Sequence, residues 1–187
     1  MKVNIPNSLT LLRIVLIPVF VGVFYLPHDW APAAATFIFW LASISDWLDG
    51  YLARKLNQQS KLGALLDPLA DKLMVAIALM LLMTKHPDNN WMIFCTVVII
   101  SRELIVSALR EWMASMNMSG VVAVANIGKL KTVAQMLALL FLIYEQDLFG
   151  LPSFEIGLGL LVLAAVLTLV SLVVYLKSAW HTIKSAT

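Results

Sequence analysis

The sequence has 187 residues, of which 61% are hydrophobic and only 13% are charged. Soluble domains are about half apolar and a quarter charged, so this composition argues against a water-soluble fold. The formal net charge of +2 is small and the 13 lysines and arginines are dispersed, which argues against a nucleic-acid-binding protein. The single cysteine, Cys95, lies in an apolar run and is expected to pack in the interior.

Six apolar runs follow one another along the chain and predict an all-α integral membrane protein with six transmembrane helices. A helix needs roughly 20 apolar residues to cross about 30 Å of hydrocarbon. The predicted spans are residues 9–26, 32–52, 67–84, 91–112, 130–145 and 155–178. Three of the breaks between them, PHDWAP, KHPDNN and EQDLFGLPSF, contain turn-forming residues. Because no linker is long enough to divide domains, we expect residues 1–187 to form a single domain.

The distribution of basic residues predicts how the chain is oriented in the membrane. Lysine and arginine near the ends of spans are retained on the cytoplasmic side. With the amino terminus inside, the cytoplasmic ends collect Lys2, Arg13, Arg54, Lys55, Lys61, Lys72, Arg102, Arg110, Lys129, Lys131, Lys177 and Lys184. The opposite side keeps only Lys85. We therefore expect six spans with both termini in the cytoplasm.

Four aspartates lie where the second predicted span ends and the third begins. Asp46 and Asp49 are three residues apart. Asp67 and Asp71 are four apart, so each pair shares one face of a helix. Residues 53–66 look like a cytoplasmic turn between antiparallel helices, which would bring the four carboxylates together. Four carboxylates near a low-dielectric region cannot all remain ionised and unpaired at tolerable energy, so we expect one or two bound divalent cations.

The ligand chemistry of this aspartate cluster suits a hard cation. Carboxylate oxygens favour Mg²⁺ or Mn²⁺, whereas zinc would usually recruit histidine or cysteine. Two such ions about 3.5 to 4 Å apart can clamp both sides of a phosphoryl displacement, which makes phosphate chemistry the leading hypothesis. The small residues Gly50, Ala53 and Gly63 would then permit close approach of a nucleotide diphosphate. The alternative is that the aspartates are helix caps and lysine partners, with Asp67 before Pro68 starting a helix.

The aspartates belong to a longer motif, Asp46-x-x-Asp49-Gly50-x-x-Ala53-Arg54, followed after eight residues by Gly63-x-x-x-Asp67-x-x-x-Asp71. Position by position, it resembles the signature of the CDP-alcohol phosphotransferase family. The resemblance implies transfer of a phosphatidyl or related group from a CDP-activated donor to an alcohol, with release of CMP and with Mg²⁺ or Mn²⁺, two ions in all. It also implies that Asp46, Asp49, Asp67 and Asp71 hold the metals and that Asp71 is the base. The residues implied to contact cytidine diphosphate are Gly50, Ala53, Arg54 and Gly63.

A further resemblance covers the amino terminus, where Asn4-Ile5-Pro6-Asn7-x-x-Thr10-x-x-Arg13 is similar to the start of family members that use sn-glycerol 3-phosphate. Asn7, Thr10 and Arg13 are spaced by three, so a helix would aim them in one direction and we expect them to bind substrate. The alternative is a short amphipathic helix, with a capping residue, lying at the membrane interface.

The fourth and fifth spans contain SRELIVSALREW and GKLKTVAQM, which also resemble family members that use sn-glycerol 3-phosphate. A phosphorylated acceptor needs nearby cations, and we expect its phosphate to be bound by Arg102, Arg110, Lys129 and Lys131. The competing explanation is positive-inside bias with snorkelling to lipid head groups. It is stronger for Arg110 than for Arg102, which lies deep in an apolar run, and Glu103 is expected to pair with a neighbouring base.

The resemblance, together with the basic residues of the fourth and fifth spans, implies transfer of a phosphatidyl group from CDP-diacylglycerol to sn-glycerol 3-phosphate at the cytoplasmic face of the membrane. By resemblance to bacterial members of the family we expect that membrane to be a bacterial inner membrane. Serine, inositol or inositol phosphate is the alternative acceptor within the family. A transporter or cation channel is a rival from another class, but it fits poorly with four carboxylates near one face. A noncatalytic scaffold would leave the aspartate cluster unexplained. By resemblance we also expect a homodimer.

Overall fold

The computed structural model describes the backbone of residues 5–56, 61–115, 126–147 and 150–186. Side chains are described for residues 11–45, 66, 69–115, 128, 130–147 and 150–177. The elements are α1 (Ile5–Phe24), α2 (Ala31–Leu56), α3 (Lys61–Lys85), α4 (Asn90–Ser115), α5 (Asn126–Tyr144) and α6 (Ser153–Ala186). The described part of the chain is therefore all-helical, with the number of helices that the apolar runs predict.

The helices are longer than the apolar runs from which they were predicted. The predicted turn over residues 53–66 was wrong at both ends, because α2 continues to Leu56 and α3 already begins at Lys61. Hydropathy detects the stretch that avoids water, whereas a helix extends beyond it as long as its backbone hydrogen bonds continue. Likewise α1 is one continuous helix from Ile5, so within the described residues no separate interfacial helix precedes it.

The helices group into two compact units. Unit 1 comprises residues 1–85 and 140–154, and contains α1, α2, α3 and the end of α5. Unit 2 comprises residues 86–139 and 155–187, and contains α4, most of α5 and most of α6. The aspartate motif thus belongs to unit 1, and the basic residues of the fourth and fifth predicted spans belong to unit 2.

The core of unit 1 forms where α1 packs against α2 and α3. On α2, Ala31, Ala35, Phe39 and Ala42 are all buried, and their spacing of three and four residues places them on one helical stripe. The small alanines permit close approach of a neighbouring helix, as is usual where apolar helices pack without a hydrophobic driving force between them. Phe39 fills the remaining space against Phe20 of α1, with ring centroids 6.1 Å apart.

Polar contacts tie together the end of unit 1 that carries the turns after α1, α3 and α5. The Lys85 ammonium at the end of α3 pairs with the Glu145 carboxylate just after α5 and lies 5.6 Å from the Phe24 ring centroid. Nearby, Gln146 Nε2 donates to the backbone oxygen of Asp29 at 3.2 Å. This end is opposite to the aspartates, since Asp71 and Lys85 are separated by about four helical turns of α3.

Unit 2 also has continuous buried stripes. On α4 the buried positions include Met92, Cys95, Ile99, Val106 and Met113, which recur at intervals compatible with one helix face. Cys95 is 1% exposed, which confirms that it packs in the interior. The buried positions of α5 and α6 in this unit repeat in the same way: Lys131, Ala134, Gln135, Ala138, Leu139, Leu161, Ala164, Ala165, Thr168 and Tyr175.

Two helical segments are long and apolar enough to cross a membrane. They are Asn90–Ser115, with mean hydropathy 2.0, and Ser153–Lys177, with mean hydropathy 2.7. Their outward faces remain strongly apolar: Leu104 is 67% exposed and Trp91 61% exposed. Exposed apolar surface of this extent is what lipid tails would cover. Shorter apolar helical stretches occur at Leu11–Phe24, Ala31–Ser45 and Leu130–Tyr144.

Candidate active site

The acidic motif lies on the last three turns of α2 and the first three turns of α3. Asp46 and Asp49 are within α2, and Asp67 and Asp71 are within α3, so the helical spacing assumed for each pair is confirmed in the backbone. The intervening residues 57–60 lie outside the described part of the chain. Even a fully extended connection of that length keeps the adjoining helix ends within roughly 18 Å of each other. The aspartate-bearing ends of α2 and α3 are therefore neighbours.

Asp71 is half-buried on α3, and it is the motif aspartate whose side chain lies within the described residues. The side chains of Asp46, Asp49 and Asp67 lie outside them, as do Arg54 and the small positions Gly50, Ala53 and Gly63. No group of three or more His, Cys, Asp or Glu side chains occurs among those that are described. Metal binding by the four aspartates accordingly stays a prediction, and its basis is the all-oxygen donor set at helical spacing.

The amino-terminal motif lies on α1, within unit 1. Asn7 and Thr10 are on the first two turns of the helix, with side chains outside the described residues. Arg13 follows one turn later, and its side chain is only 1% exposed. A guanidinium that is buried so completely needs an anion or several acceptors to offset its desolvation, and a lipid-facing anchor would not meet that requirement. Its burial argues against an interfacial position for Arg13, and its role in substrate binding stays a prediction.

A charged cluster joins α4 to α5 in unit 2. Arg102 Nη1 donates to Glu103 Oε1 at 3.2 Å, and the Lys131 ammonium donates to the same carboxylate oxygen. The Arg102 and Lys131 side chains are only 12% and 6% exposed. The expected pairing of Glu103 with a neighbouring base is therefore confirmed, and it involves bases on two helices.

The same cluster continues onto α6 through two residues that sequence reasoning missed. Arg102 Nη2 donates to Ser171 Oγ at 3.0 Å, and Arg110 Nε donates to the Tyr175 hydroxyl at 3.2 Å. Arg102 Nε is buried and has no hydrogen-bond partner among the described residues. The sequence shows Ser171 and Tyr175 as polar residues four apart in an apolar run, but it does not show which helix they contact.

The remaining polar residues of α5 differ in position. Lys129 has its side chain outside the described residues, so its expected contact with the acceptor phosphate stays a prediction. Thr132 is exposed and donates to the backbone oxygen of Gly128 at 3.0 Å, which satisfies it locally. Gln135 lies one turn beyond Lys131 and is 6% exposed, and its Oε1 has no partner among the described residues.

Comparison with known protein families gives a match over most of the chain. The CDP-alcohol phosphatidyltransferase family matches residues 3–177. The chain belongs to the CDP-alcohol phosphatidyltransferase family. The membership predicted from the eight motif positions is thereby confirmed, and the match covers α1 to α5 and most of α6.

Named bacterial proteins are similar to this chain over almost its whole length. Proteins of Escherichia coli (strain K12), Shigella flexneri and Salmonella typhimurium (strain LT2) are each 50% identical over 179 residues. The matched region covers 96% of this chain and 96% of each relative. All three relatives are named CDP-diacylglycerol--glycerol-3-phosphate 3-phosphatidyltransferase.

Proposed function

We propose that this chain transfers a phosphatidyl group from CDP-diacylglycerol to sn-glycerol 3-phosphate, giving phosphatidylglycerophosphate and CMP. The observation that carries the choice of acceptor is the buried basic cluster of Arg102, Glu103 and Lys131, in which Arg102 Nε lacks a partner among the described residues. Inositol would bring no anionic group to this cluster and serine only a carboxylate, whereas sn-glycerol 3-phosphate brings a phosphate that can accept several charge-assisted hydrogen bonds. The names of relatives that are 50% identical over nearly full length support the same reaction.

The proposed donor site is the aspartate motif. Asp46, Asp49, Asp67 and Asp71 would hold divalent cations, Mg²⁺ or Mn²⁺ and two in number, which when bound would neutralise the diphosphate of the donor. Gly50, Ala53, Arg54 and Gly63 would contact the cytidine diphosphate. The family membership supports a divalent metal in general terms. The identity and number of the ions belong to the proposal.

In the proposed reaction, Asp71 accepts the proton of the attacking acceptor hydroxyl. The acceptor oxygen forms a bond to the phosphorus that carries diacylglycerol, and the bond from that phosphorus to the CMP oxygen breaks. CMP leaves as a phosphate monoester. General-base assistance of this kind is typically worth about 10²- to 10⁴-fold in rate. The half-buried position of Asp71 suits a base that must be reachable yet partly shielded from water.

The proposed acceptor site uses basic residues of unit 2. Arg102 and Lys131 would bind the phosphate of glycerol phosphate. Arg110 and Lys129, which the proposed orientation also assigns to the cytoplasmic side, would contribute further positive charge. Arginine matches phosphate oxygens with paired N–H groups, and lysine adds a point charge. The buried Gln135 Oε1 is a suitable acceptor for a hydroxyl of the glycerol moiety. Asn7, Thr10 and Arg13 are proposed to bind substrate from unit 1.

We further propose six transmembrane spans in a bacterial inner membrane, with both termini and the active site cytoplasmic, and a homodimeric assembly. The charge distribution supports this orientation, because Lys85 is the single basic residue that it places outside. The apolar outward faces of α4 and α6 support burial in lipid. The homodimer is inferred by resemblance to the family.

The decisive experiment is to supply the purified protein with CDP-diacylglycerol and with each candidate acceptor in turn, and to measure CMP release and the lipid product. We expect turnover with sn-glycerol 3-phosphate and none with serine, inositol or inositol phosphate. Turnover with serine but not with glycerol phosphate would overturn the acceptor assignment. Divalent-cation flux through proteoliposomes without CMP release would instead indicate a channel or transporter.

A further inference from the structure

Helix α6 contributes two polar side chains that contact the arginines of α4 in unit 2. Ser171 and Tyr175 are four residues apart, so they lie on one face of the helix. Their partners on α4, Arg102 and Arg110, are separated by about two turns. Each α6 side chain contacts one arginine, and this pairing gives every guanidinium of α4 a fixed contact on α6.

The Ser171 hydroxyl is oriented before it meets Arg102. Its Oγ donates to the backbone oxygen of Thr168 at 2.9 Å, so the hydroxyl hydrogen is committed and an oxygen lone pair is left for Arg102 Nη2 at 3.0 Å. Glu103 holds Nη1 of the same guanidinium at 3.2 Å. With both terminal nitrogens held, the guanidinium plane is fixed. Its Nε remains buried without a partner among the described residues.

Tyr175 holds Arg110 in two ways. Its hydroxyl accepts from Arg110 Nε at 3.2 Å, and the Arg110 Cζ lies 5.6 Å from the centroid of the Tyr175 ring. The phenol itself is 7% exposed, so it is anchored in the packing of unit 2 while Arg110 is exposed. Because Tyr175 engages Nε alone, the two terminal nitrogens of Arg110 have no hydrogen-bond partner among the described residues. They remain able to bind an anion as a pair.

We propose that Ser171 and Tyr175 are positioning residues, which hold the guanidiniums of Arg102 and Arg110 in the orientation that binds the phosphate of the acceptor. The inference rests on the proposed acceptor site. A free arginine side chain loses much rotamer freedom when it binds a ligand, and contacts that restrict it beforehand remove part of that cost. The glycerol phosphate would contact the arginines, whereas Ser171 and Tyr175 act through them.

The test is steady-state kinetics of the full-length protein in detergent micelles, with each substrate varied while the other is saturating. We expect Ser171→Ala and Tyr175→Phe each to raise the KM for sn-glycerol 3-phosphate by roughly three- to tenfold, with the KM for CDP-diacylglycerol and kcat little changed. Ser171→Thr retains a hydroxyl and should restore the lower KM. Tyr175→Phe retains the ring, so unit 2 keeps its packing.

Two matched controls remove similar groups that touch neither arginine. Ser101→Ala deletes an exposed hydroxyl next to Arg102 in sequence, and Leu176→Ala trims the exposed residue after Tyr175. Both should leave the KM for glycerol phosphate unchanged. Thermal unfolding of every variant in the same detergent separates kinetic effects from loss of fold.

Double variants distinguish a positioning role from every other one. If Ser171 acts through Arg102, Ser171→Ala should add nothing to Arg102→Ala, and Tyr175→Phe should add nothing to Arg110→Ala. Fully additive effects, or equal increases in both KM values, would overturn the positioning role. If Arg102→Ala and Arg110→Ala leave the acceptor KM unchanged, the proposed phosphate site fails. If only the α6 variants have no effect, that site stands and the positioning role fails.

Discussion

At the scale of single residues, the two sets of charged side chains present different energetic problems. The aspartates gather like charge, which requires cations to offset the repulsion. Arg102, Glu103 and Lys131 instead place opposite charges against each other, and removing Glu103 would take a shared partner from two cations that are only 12% and 6% exposed. Charges held in this way are costly for a membrane protein to retain. Under the proposed function, an anionic ligand would offset part of that cost.

Substitution of the half-buried Asp71 should distinguish its proposed role as the base from the metal-binding role proposed for the other motif aspartates. We expect Asp71→Asn to lower kcat by about 10²-fold or more while Mn²⁺ binding is weakened less than in Asp46→Asn, because the lost group is the proton acceptor. CMP release and Mn²⁺ titration on the same preparations measure the two effects. Asp88→Asn, which alters an exposed aspartate in the turn after α3, is the matched control. Near-normal turnover in both motif variants would contradict the assigned roles.

At the scale of elements, Glu145, just after α5, combines an unfavourable backbone conformation with a favourable ion pair. Glu145 has φ 58°, in the left-handed region that favours glycine at a helix C-terminus. Its amide still donates to the Phe141 oxygen at 3.0 Å, and its carboxylate reaches Lys85 at the end of α3. Lys85 is 38% exposed, so solvent screens the pair and its contribution is about 0–1 kcal/mol.

These opposing contributions predict the outcome of substitution at Glu145. Glu145→Gly should change the free energy of unfolding by less than about 1 kcal/mol. Glycine adopts a positive φ without strain, and this gain offsets the loss of the ion pair. Glu145→Val should be destabilising by roughly 1–3 kcal/mol, because a β-branched residue is strained at positive φ. Unfolding in mixed micelles measures both changes. Lys85→Met removes the ion pair and the contact with the Phe24 ring but leaves the backbone at residue 145 unchanged, so it serves as the control. A Val variant as stable as the Gly variant would refute the strain argument.

The elements also indicate what sequence can and cannot predict. Apolar runs predicted all six helices, because the membrane demands long apolar stretches whose backbone is satisfied internally. The apolar runs did not predict the polar carboxyl end of α2 or the polar amino end of α3, because a helix extends past its apolar stretch. The motif predicted the family, since eight residue types at fixed spacing express a chemical requirement. The contacts of Ser171 and Tyr175 were not predictable, because they depend on which face of α6 meets α4.

At the scale of the whole molecule, charge is distributed unequally along the helices. In unit 1, the residues predicted to form the site are close to the amino ends of α1 and α3 and the carboxyl end of α2, whereas Arg102 in unit 2 lies at the middle of α4. In an alternating arrangement of spans those ends share one side of the membrane. The turns at the other ends contain Lys85 as their single basic residue. The proposed topology and the proposed site are thus consistent, since both place the polar chemistry in the cytoplasm.

The topology gives a direct prediction for single-cysteine variants labelled in intact cells with a membrane-impermeant maleimide. Native Cys95 is 1% exposed and should give little background, so it can be retained. Asp88→Cys, in the exposed turn after α3, should be labelled from outside. Gln58→Cys, between α2 and α3 and next to the aspartate motif, should be labelled only after the cells are permeabilised. The unsubstituted chain is the control, and labelling of Gln58→Cys in intact cells would reverse the proposed orientation and move the candidate active site to the outer face.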